Sequence, residues 1–314
     1  DYWGNDNLNL EVKCQNCFPK NIKSKVPCLP RCIFTPEGKG VPPVIEASFA
    51  NKVKVPKDQT KYFIISYGPP GSGKSDVLSV LQRNQKLDTS VNQDNTISVN
   101  VDDTFQKGPL GQEYKKVQEK LRPQGPKYTQ RLYTYYRWVA DQVSDSILNL
   151  ALLGDYNVLW ETTGERITWT RREIARIREL GYSVILVYPL VSLQELKRRL
   201  TLRSKKTGQE PTPELEMKTK VKKSLENLVD FLYDIQCPEW VVRQLQLPKD
   251  AQCSPDRVII YNNQQPKGQQ VIMFDSENPQ EDIQNMTNGI MSLVENEKFL
   301  KYFQKLTLKK KIAV

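Results

Sequence analysis

The 314 residues hold 46 Lys and Arg against 36 Asp and Glu, for a formal charge of +10, and contain no histidine. Every mechanism that needs an imidazole as base or ligand is therefore excluded, Ser-His and Cys-His catalysis included. Mean hydropathy is −0.58 and no apolar run approaches the ~20 residues that span a bilayer, which predicts a polar, cytoplasmic globular protein without a membrane span. The basic balance suits a solvated surface, and it also suits phosphates, nucleic acid or acidic partners.

Residues 1–57 lack sustained periodicity and are rich in Pro, Asn and Lys, which predicts an extended amino-terminal arm. Cys14, Cys17, Cys28 and Cys32 lie in it as C-x2-C followed by C-x3-C. That spacing fits a four-thiolate zinc knuckle, with two ligands from each turn, and equally fits two disulfides or free thiols. Cys237 and Cys253 stand far downstream.

The apolar run Tyr62-Phe63-Ile64-Ile65 reads as a buried strand. Directly after it, Gly68-Pro69-Pro70-Gly71-Ser72-Gly73-Lys74-Ser75 satisfies G-x-x-x-x-G-K-[ST], and a helical pattern begins at Ser75. Strand, glycine-rich turn and helix form a phosphate cradle. Glycines let backbone N–H groups converge on an anion, and the helix N-terminus adds favourable partial charge. In that reading Lys74 reaches the β- and γ-phosphates of ATP and the Ser75 hydroxyl ligates Mg²⁺.

A second strand is expected at 97–101, running into Asp102-Asp103-Thr104-Phe105. A carboxylate at such a strand end takes a proton from an attacking hydroxyl or holds Mg²⁺ through water; an Asp pair also caps helices. Residues 107–128, rich in Gly, Pro and Lys, read as loop. A long helix is expected over 130–153, then a strand at 157–160 leading into Glu161-Thr162-Thr163-Gly164. There Glu161 can orient a substrate hydroxyl and Thr163 can donate to a phosphate or sugar; the same four residues also read as a polar turn between strand and helix.

Thr168 is expected to cap a helix closed by Gly181, and 183–187 is an apolar strand. The following helix brings Leu193, Leu196 and Leu200 to the core and carries Arg198, Arg199 and Arg203, with Lys205-Lys206 beyond. Such cations can close over a γ-phosphate or simply complement the helix dipole. A polar stretch at 204–213, a helix at 213–234, a strand at 257–261 with a hairpin partner near 270–274, and helices within 279–305 complete the pattern.

Apolar strands alternating with helices predict an α/β fold, a parallel sheet covered on both faces. The expected organisation is the arm at 1–57, an α/β domain carrying the phosphate loop at 58–265, and a hairpin with a basic helical tail at 266–314.

From the phosphate loop to about Tyr261 the chain resembles the zeta-toxin-type kinases. It shares the order of strand, Walker A loop, Asp-Thr-Phe after the second strand, long helix, strand ending in Glu-x-Thr-Gly, and arginine-bearing lid. The resemblance implies a P-loop kinase fold that uses ATP and Mg²⁺ to phosphorylate a hydroxyl of a UDP-amino sugar. By position it makes Asp103 the catalytic base, Lys74 and Ser75 the phosphate and metal residues, Glu161 and Thr163 substrate contacts, and Arg203 a lid arginine.

Three departures stand out. Gln106 and Lys107 follow the Asp-Thr-Phe motif, where a basic residue commonly comes at once. Glu165 precedes Arg166 after Glu-x-Thr-Gly. Gln209-Glu210-Pro211 stands where a second lid arginine is expected. Two other readings share these residues. One is a polynucleotide 5′-hydroxyl kinase, which accounts for the basic charge. The other is a degenerate kinase core with an assembly role, its arm and basic tail binding protein neighbours in a larger particle.

Overall fold

The computed structural model describes residues 41–106, 109–121, 123, 126–207, 213–233, 236–277 and 296–312. The expected arm up to residue 40, Cys14, Cys17, Cys28 and Cys32, the 208–212 part of the lid and the 279–295 part of the helical tail lie outside the described residues. The elements in chain order are α1 (Val41–Phe49), β1 (Lys61–Tyr67), α2 (Val77–Arg83), β2 (Thr96–Val99), α3 (Val101–Gln106), α4 (Pro109–Leu121), α5 (Pro126–Leu153), β3 (Asn157–Thr162) and α6 (Ile167–Glu179). They continue with β4 (Tyr182–Leu190), α7 (Leu193–Thr207), α8 (Glu214–Leu232), α9 (Glu239–Leu245), β5 (Arg257–Asn262), β6 (Val271–Asp275) and α10 (Glu297–Ile312).

The described residues fall into two compact units, one of 41–52 with 99–153 and one of 53–98 with 154–312. The larger is built on a six-stranded sheet in the order β2-β3-β1-β4-β5-β6. β1 runs parallel to β3 and β4, and β4 to β5, whereas β6 closes the edge antiparallel to β5. Parallel strands covered on both faces must be apolar on both, and β1 is: Phe63, Ile64, Ile65 and Tyr67 are fully buried. Each such side chain contributes about 1.5–3 kcal/mol by leaving water.

Alternation along β1 then assigns the faces. Ile64 joins Val77, Leu78 and Leu81 of α2, with Leu159, Ile185, Ile259 and Tyr261 from neighbouring strands. On the other face Phe63 lies 5.9 Å from Trp160, Trp160 meets Trp169 of α6 edge-on at 4.9 Å, and Tyr67 meets Phe231 of α8 edge-on at 5.6 Å. Because these strands are parallel, β1, β3, β4 and β5 end at one edge, where the phosphate loop and the Glu-Thr-Thr-Gly turn emerge.

The smaller unit is helical. Val139, Val143, Ile147 and Ala151 give α5 a buried stripe at every fourth residue. Tyr114 of α4 packs edge-on against Tyr136 of α5 at 5.4 Å, and Ser144 Oγ donates to Thr104 Oγ1 at 3.1 Å, tying α5 to α3.

Several local expectations need correction. Residues 109–121 form a helix rather than a loop: Leu110, Tyr114, Val117 and Leu121 recur at helical spacing beneath the glycine and lysines that disguise them. β2 stops at Val99 and a helix begins at Val101, because Asn100 Oδ1 accepts from the N–H of Asp102 at 2.8 Å and of Asp103 at 3.4 Å. Thr168 lies inside α6, whose cap position is Arg166. The short helix α9 and the Cys237–Cys253 disulfide, with Cα atoms 4.8 Å apart, are additions that local sequence pattern does not announce. Both cysteines are buried in a small apolar cluster with Ala175 and Val241.

Candidate active site

The phosphate loop begins where Tyr67 ends β1. Gly71 and Gly73 have φ of +82° and +86°, a left-handed backbone that side-chain-bearing residues adopt only under strain. Gly73 is required twice over, since a Cβ there would overlap Asn263 Nδ2. Four consecutive loop carbonyls are held from the protein side. Arg199 Nη1 donates to Gly71 O at 3.4 Å, Asn263 Nδ2 to Ser72 O at 2.6 Å, Tyr261 OH to Gly73 O at 3.3 Å, and Ser66 Oγ to Lys74 O at 2.9 Å. Each neutral bond is worth about 0.5–1.5 kcal/mol and the guanidinium's roughly twice that.

The anchors are themselves anchored. Arg199 Nη2 donates to Asn263 O at 2.5 Å and its Nε to Glu195 Oε1 at 2.8 Å, so α7 and the end of β5 grip the loop together. Hydrogen bonds from Arg198 first and Arg199 second, against the opposing effect of partial burial, hold the Glu195 carboxyl at about 2. Burial, reinforced by the nearby charge of Asp76, pushes the Tyr261 phenol far above its ordinary range, so it stays a neutral donor.

A loop with its carbonyls tied back presents N–H groups to an anion, which is what a triphosphate needs. Lys74 Nζ donates to Gly68 O at 2.9 Å and Pro69 O at 3.1 Å, folded along the loop it serves. The exposed Ser75 sits in the first turn after the loop, suited by position and by its hydroxyl oxygen to a magnesium ion. Ser72 Oγ is buried with no hydrogen-bond partner. These residues fit a nucleotide with its metal.

Glu161 and Thr163 leave β3 at the same edge, both half-buried. Their turn is fixed at Gly164, where Tyr67 OH donates to the carbonyl at 2.5 Å and Asn227 Nδ2 of α8 at 2.7 Å. Gly164 has φ of +78°, and a Cβ there would come within 2.6 Å of the Tyr67 ring. Gly68 N donates to Thr162 O at 3.2 Å, joining this turn to the start of the phosphate loop. Burial drives the Tyr67 hydroxyl far above the ordinary phenol range, so it too remains a donor.

Asp103 lies in the smaller unit, in the first turn of α3. Its neighbour Asp102 pairs with Arg137 of α5, which also approaches Asp141 at 3.7 Å. Arg203 is exposed, one helical turn beyond Arg199 on α7, and Arg198 points its guanidinium at Glu195 with both bonds at 2.7 Å.

Lys74, Ser75, Glu161 and Thr163 thus share one edge of one sheet with Arg199, Asn263, Tyr261, Tyr67 and Asn227. Sequence pattern groups Arg199 with the lid and does not single out the other four. Asn263 is findable in principle, since it follows a strand at the ligand-binding edge. Asn227, mid-helix, carries no local signal. Among the described residues no cluster of His, Cys, Asp or Glu is arranged to hold a metal, and no helix is long and apolar enough to cross a membrane.

Residues 63–227, more than half of the chain, match a family model described as an AAA domain, AAA_33. Among solved structures, that of the PezAT chromosomal toxin–antitoxin system of Streptococcus pneumoniae superposes with a TM-score of 0.53 at 15% identity, over 84% of this chain and 92% of that one. Two structures of the AvrRxo1-ORF1:AvrRxo1-ORF2 complex are also similar. The one with sulphate ions gives 0.40 at 12% identity over 74% and 62% of the two chains, and the native one 0.38 at 11% over 83% and 79%. A search of curated proteins finds no match.

Proposed function

The chain belongs to the AAA_33 family of AAA domains and has the mostly parallel P-loop kinase-like fold of the zeta-toxin-type kinases; from that premise we propose that it is an ATP- and Mg²⁺-dependent phosphotransferase acting on a hydroxyl of a small molecule such as a nucleotide sugar. The observation that carries this reading is the phosphate loop with four consecutive carbonyls tied back by Arg199, Asn263, Tyr261 and Ser66. A loop built only to turn the chain needs no such bracing.

In this reading the loop binds the triphosphate through its N–H groups and Lys74 offsets charge on the β- and γ-phosphates. Ser75 would hold Mg²⁺, whose contribution is charge neutralisation of the phosphate oxygens. Glu161 and Thr163 orient the acceptor. Asp103 accepts the proton of the acceptor hydroxyl, the hydroxyl oxygen bonds to the γ-phosphorus, and the bond to the β-γ bridging oxygen breaks to release ADP. Arg203, with Lys205 or Lys206 for the missing second lid arginine, stabilises the phosphoryl group in flight. Lysine is a point charge rather than a fork, so the lid is expected to bind that group less specifically.

Labelled ATP and Mg²⁺ are incubated with pools of nucleotide sugars and, separately, of 5′-hydroxyl oligonucleotides, beside an Asp103→Asn variant. Transfer to the sugar pool that the variant loses supports the proposal. Transfer to the oligonucleotides alone makes it a polynucleotide kinase, and ATP binding without transfer to either pool favours the assembly role through a protein partner. Zinc at Cys14, Cys17, Cys28 and Cys32 is a proposal from spacing alone, decided by metal content under reducing conditions.

A further inference from the structure

A cavity of about 340 Å³ opens between α8 and α10 and shares no residue with the phosphate loop. Val229, Tyr233, Lys298, Lys301, Tyr302 and Lys305 line it, beside Glu297. Its volume lies at the small end of the roughly 300–1,000 Å³ typical of ligand pockets.

The way α10 is mounted explains the lining. Asn296 caps the helix, its Oδ1 accepting from Phe299 N at 3.0 Å. Phe299 is fully buried and packs on Phe303 at 4.7 Å, and Phe303 meets Phe274 of β6 edge-on at 5.5 Å. Phe299 and Phe303, four apart, turn one stripe of the helix inward. Lys298, Lys301 and Lys305, at i, i+3 and i+7, consequently share the exposed stripe.

Tyr302 stands at the seam. Its hydroxyl donates to Leu232 O at 3.3 Å and its ring meets Tyr233 edge-on at 5.1 Å. Burial, with Tyr233 adding to it, raises the phenol to about 12, so it stays neutral. Tyr233 keeps 46% of its surface exposed at the mouth. Lys298 pairs with Asp230 and Lys301 with Glu297, both at 2.6 Å. These are exposed pairs of the kind worth little in water, so a phosphate can compete for either lysine.

We propose that this cavity binds single-stranded nucleic acid, a base seating against Tyr233 while the α10 lysines take the flanking phosphates. Charge and shape select that occupant. An open aromatic ring among cations spaced along one helix matches a chain that alternates flat bases with phosphates. A duplex keeps its base faces stacked away from Tyr233, and an acidic peptide does not alternate a flat ring with an anion at every unit of its chain. Lys309, Lys310 and Lys311 extend the basic sequence beyond the cavity, within a chain whose formal charge is +10.

The test is fluorescence anisotropy of a labelled single-stranded oligonucleotide, titrated with the full chain at about 50–200 mM salt. A Lys74→Ala background removes the phosphate loop's contribution. Tyr233→Ala is expected to weaken binding about 10-fold. Replacing Lys298, Lys301 and Lys305 together by Gln is expected to lower the slope of log K against log salt by about 2, near 0.7 for each phosphate that is no longer neutralised. Tyr233→Ala gives up the edge-on contact with Tyr302, so thermal melting is recorded for each variant, and binding is compared at a temperature where all remain folded. The proposal fails if the strand is not bound at the lowest salt, or if both variants bind as the parent does. It fails equally if a duplex of the same sequence or a mononucleotide competes as well as the strand.

Discussion

Two turns leave the same sheet edge and are secured in different ways. The phosphate loop after β1 is held along its length, one donor to each of four successive carbonyls, from Arg199, Asn263, Tyr261 and Ser66. At the Glu-Thr-Thr-Gly turn after β3, the described side-chain donors converge on the carbonyl of Gly164, from Tyr67 and Asn227. In the proposed function the first holds a triphosphate, the same in every cycle, and such a cradle gains from being fixed everywhere. The second, in that same proposal, meets the acceptor, and it is fixed where it must end and shaped by its side chains before that. Tyr67 links them, because it is both the residue before Gly68 and a donor to Gly164.

The largest effect expected from breaking this arrangement is at Gly73. Gly73→Ala places a Cβ against Asn263 at a positive φ, and strain of about 2–3 kcal/mol should appear as a loss of ATP affinity on the order of 100-fold. Isothermal titration measures it. Gly164→Ala, whose Cβ meets the Tyr67 ring, should destabilise the fold by about 2 kcal/mol in denaturant melts while leaving ATP affinity within a few-fold. Equal loss of ATP affinity in both variants would show that the turns act as one unit.

Tyr67→Phe is milder. It removes one of two donors to Gly164 O and leaves Asn227, so a loss of about 1 kcal/mol is expected, and Asn227→Ala added to it should cost more than the sum of the singles because the carbonyl is then left unsatisfied.

The smallest effect concerns pH. The Glu195 carboxyl is held at about 2 against an ordinary 4.5. A depressed carboxyl contributes stability that is present above about pH 4.5 and lost as pH falls through 2. The stability difference between the parent and Glu195→Gln should therefore be constant from about pH 8 to about pH 5 and shrink steadily below it. A difference that persists undiminished near pH 2 would mean that Glu195 braces Arg199 by packing rather than by charge.

How legible these features are in the sequence depends on how local they are. The phosphate loop is eight adjacent residues whose glycines encode their own backbone. The start of α3 at Asp102-Asp103 depends on Asn100 a few residues away. α4 is hidden because Pro109 and Gly111 mask an otherwise regular apolar spacing. The bracing of the loop is out of reach for a different reason. Asn263 lies 191 residues from Ser72, and Tyr261 lies 188 from Gly73. Only the sheet order brings them together, and no periodicity in either segment announces a partner. The disulfide is of that kind too, since α9 lies between Cys237 and Cys253, which stand 16 residues apart in the chain.

Arg199 and Arg203 are four positions apart on one helix, and that spacing sets a ruler. Each residue of an α-helix advances about 1.5 Å, so the backbone of Arg203 stands about 6 Å along the axis from that of Arg199, whose guanidinium holds Gly71 O. In the proposed role of Arg203 over the phosphoryl group, its offset from the loop is written in helical pitch rather than in the length of a flexible segment. One residue inserted between the two arginines would swing the second by about 100° and aim it at another part of the molecule, whereas the same insertion beyond Thr207 would leave the gauge unchanged.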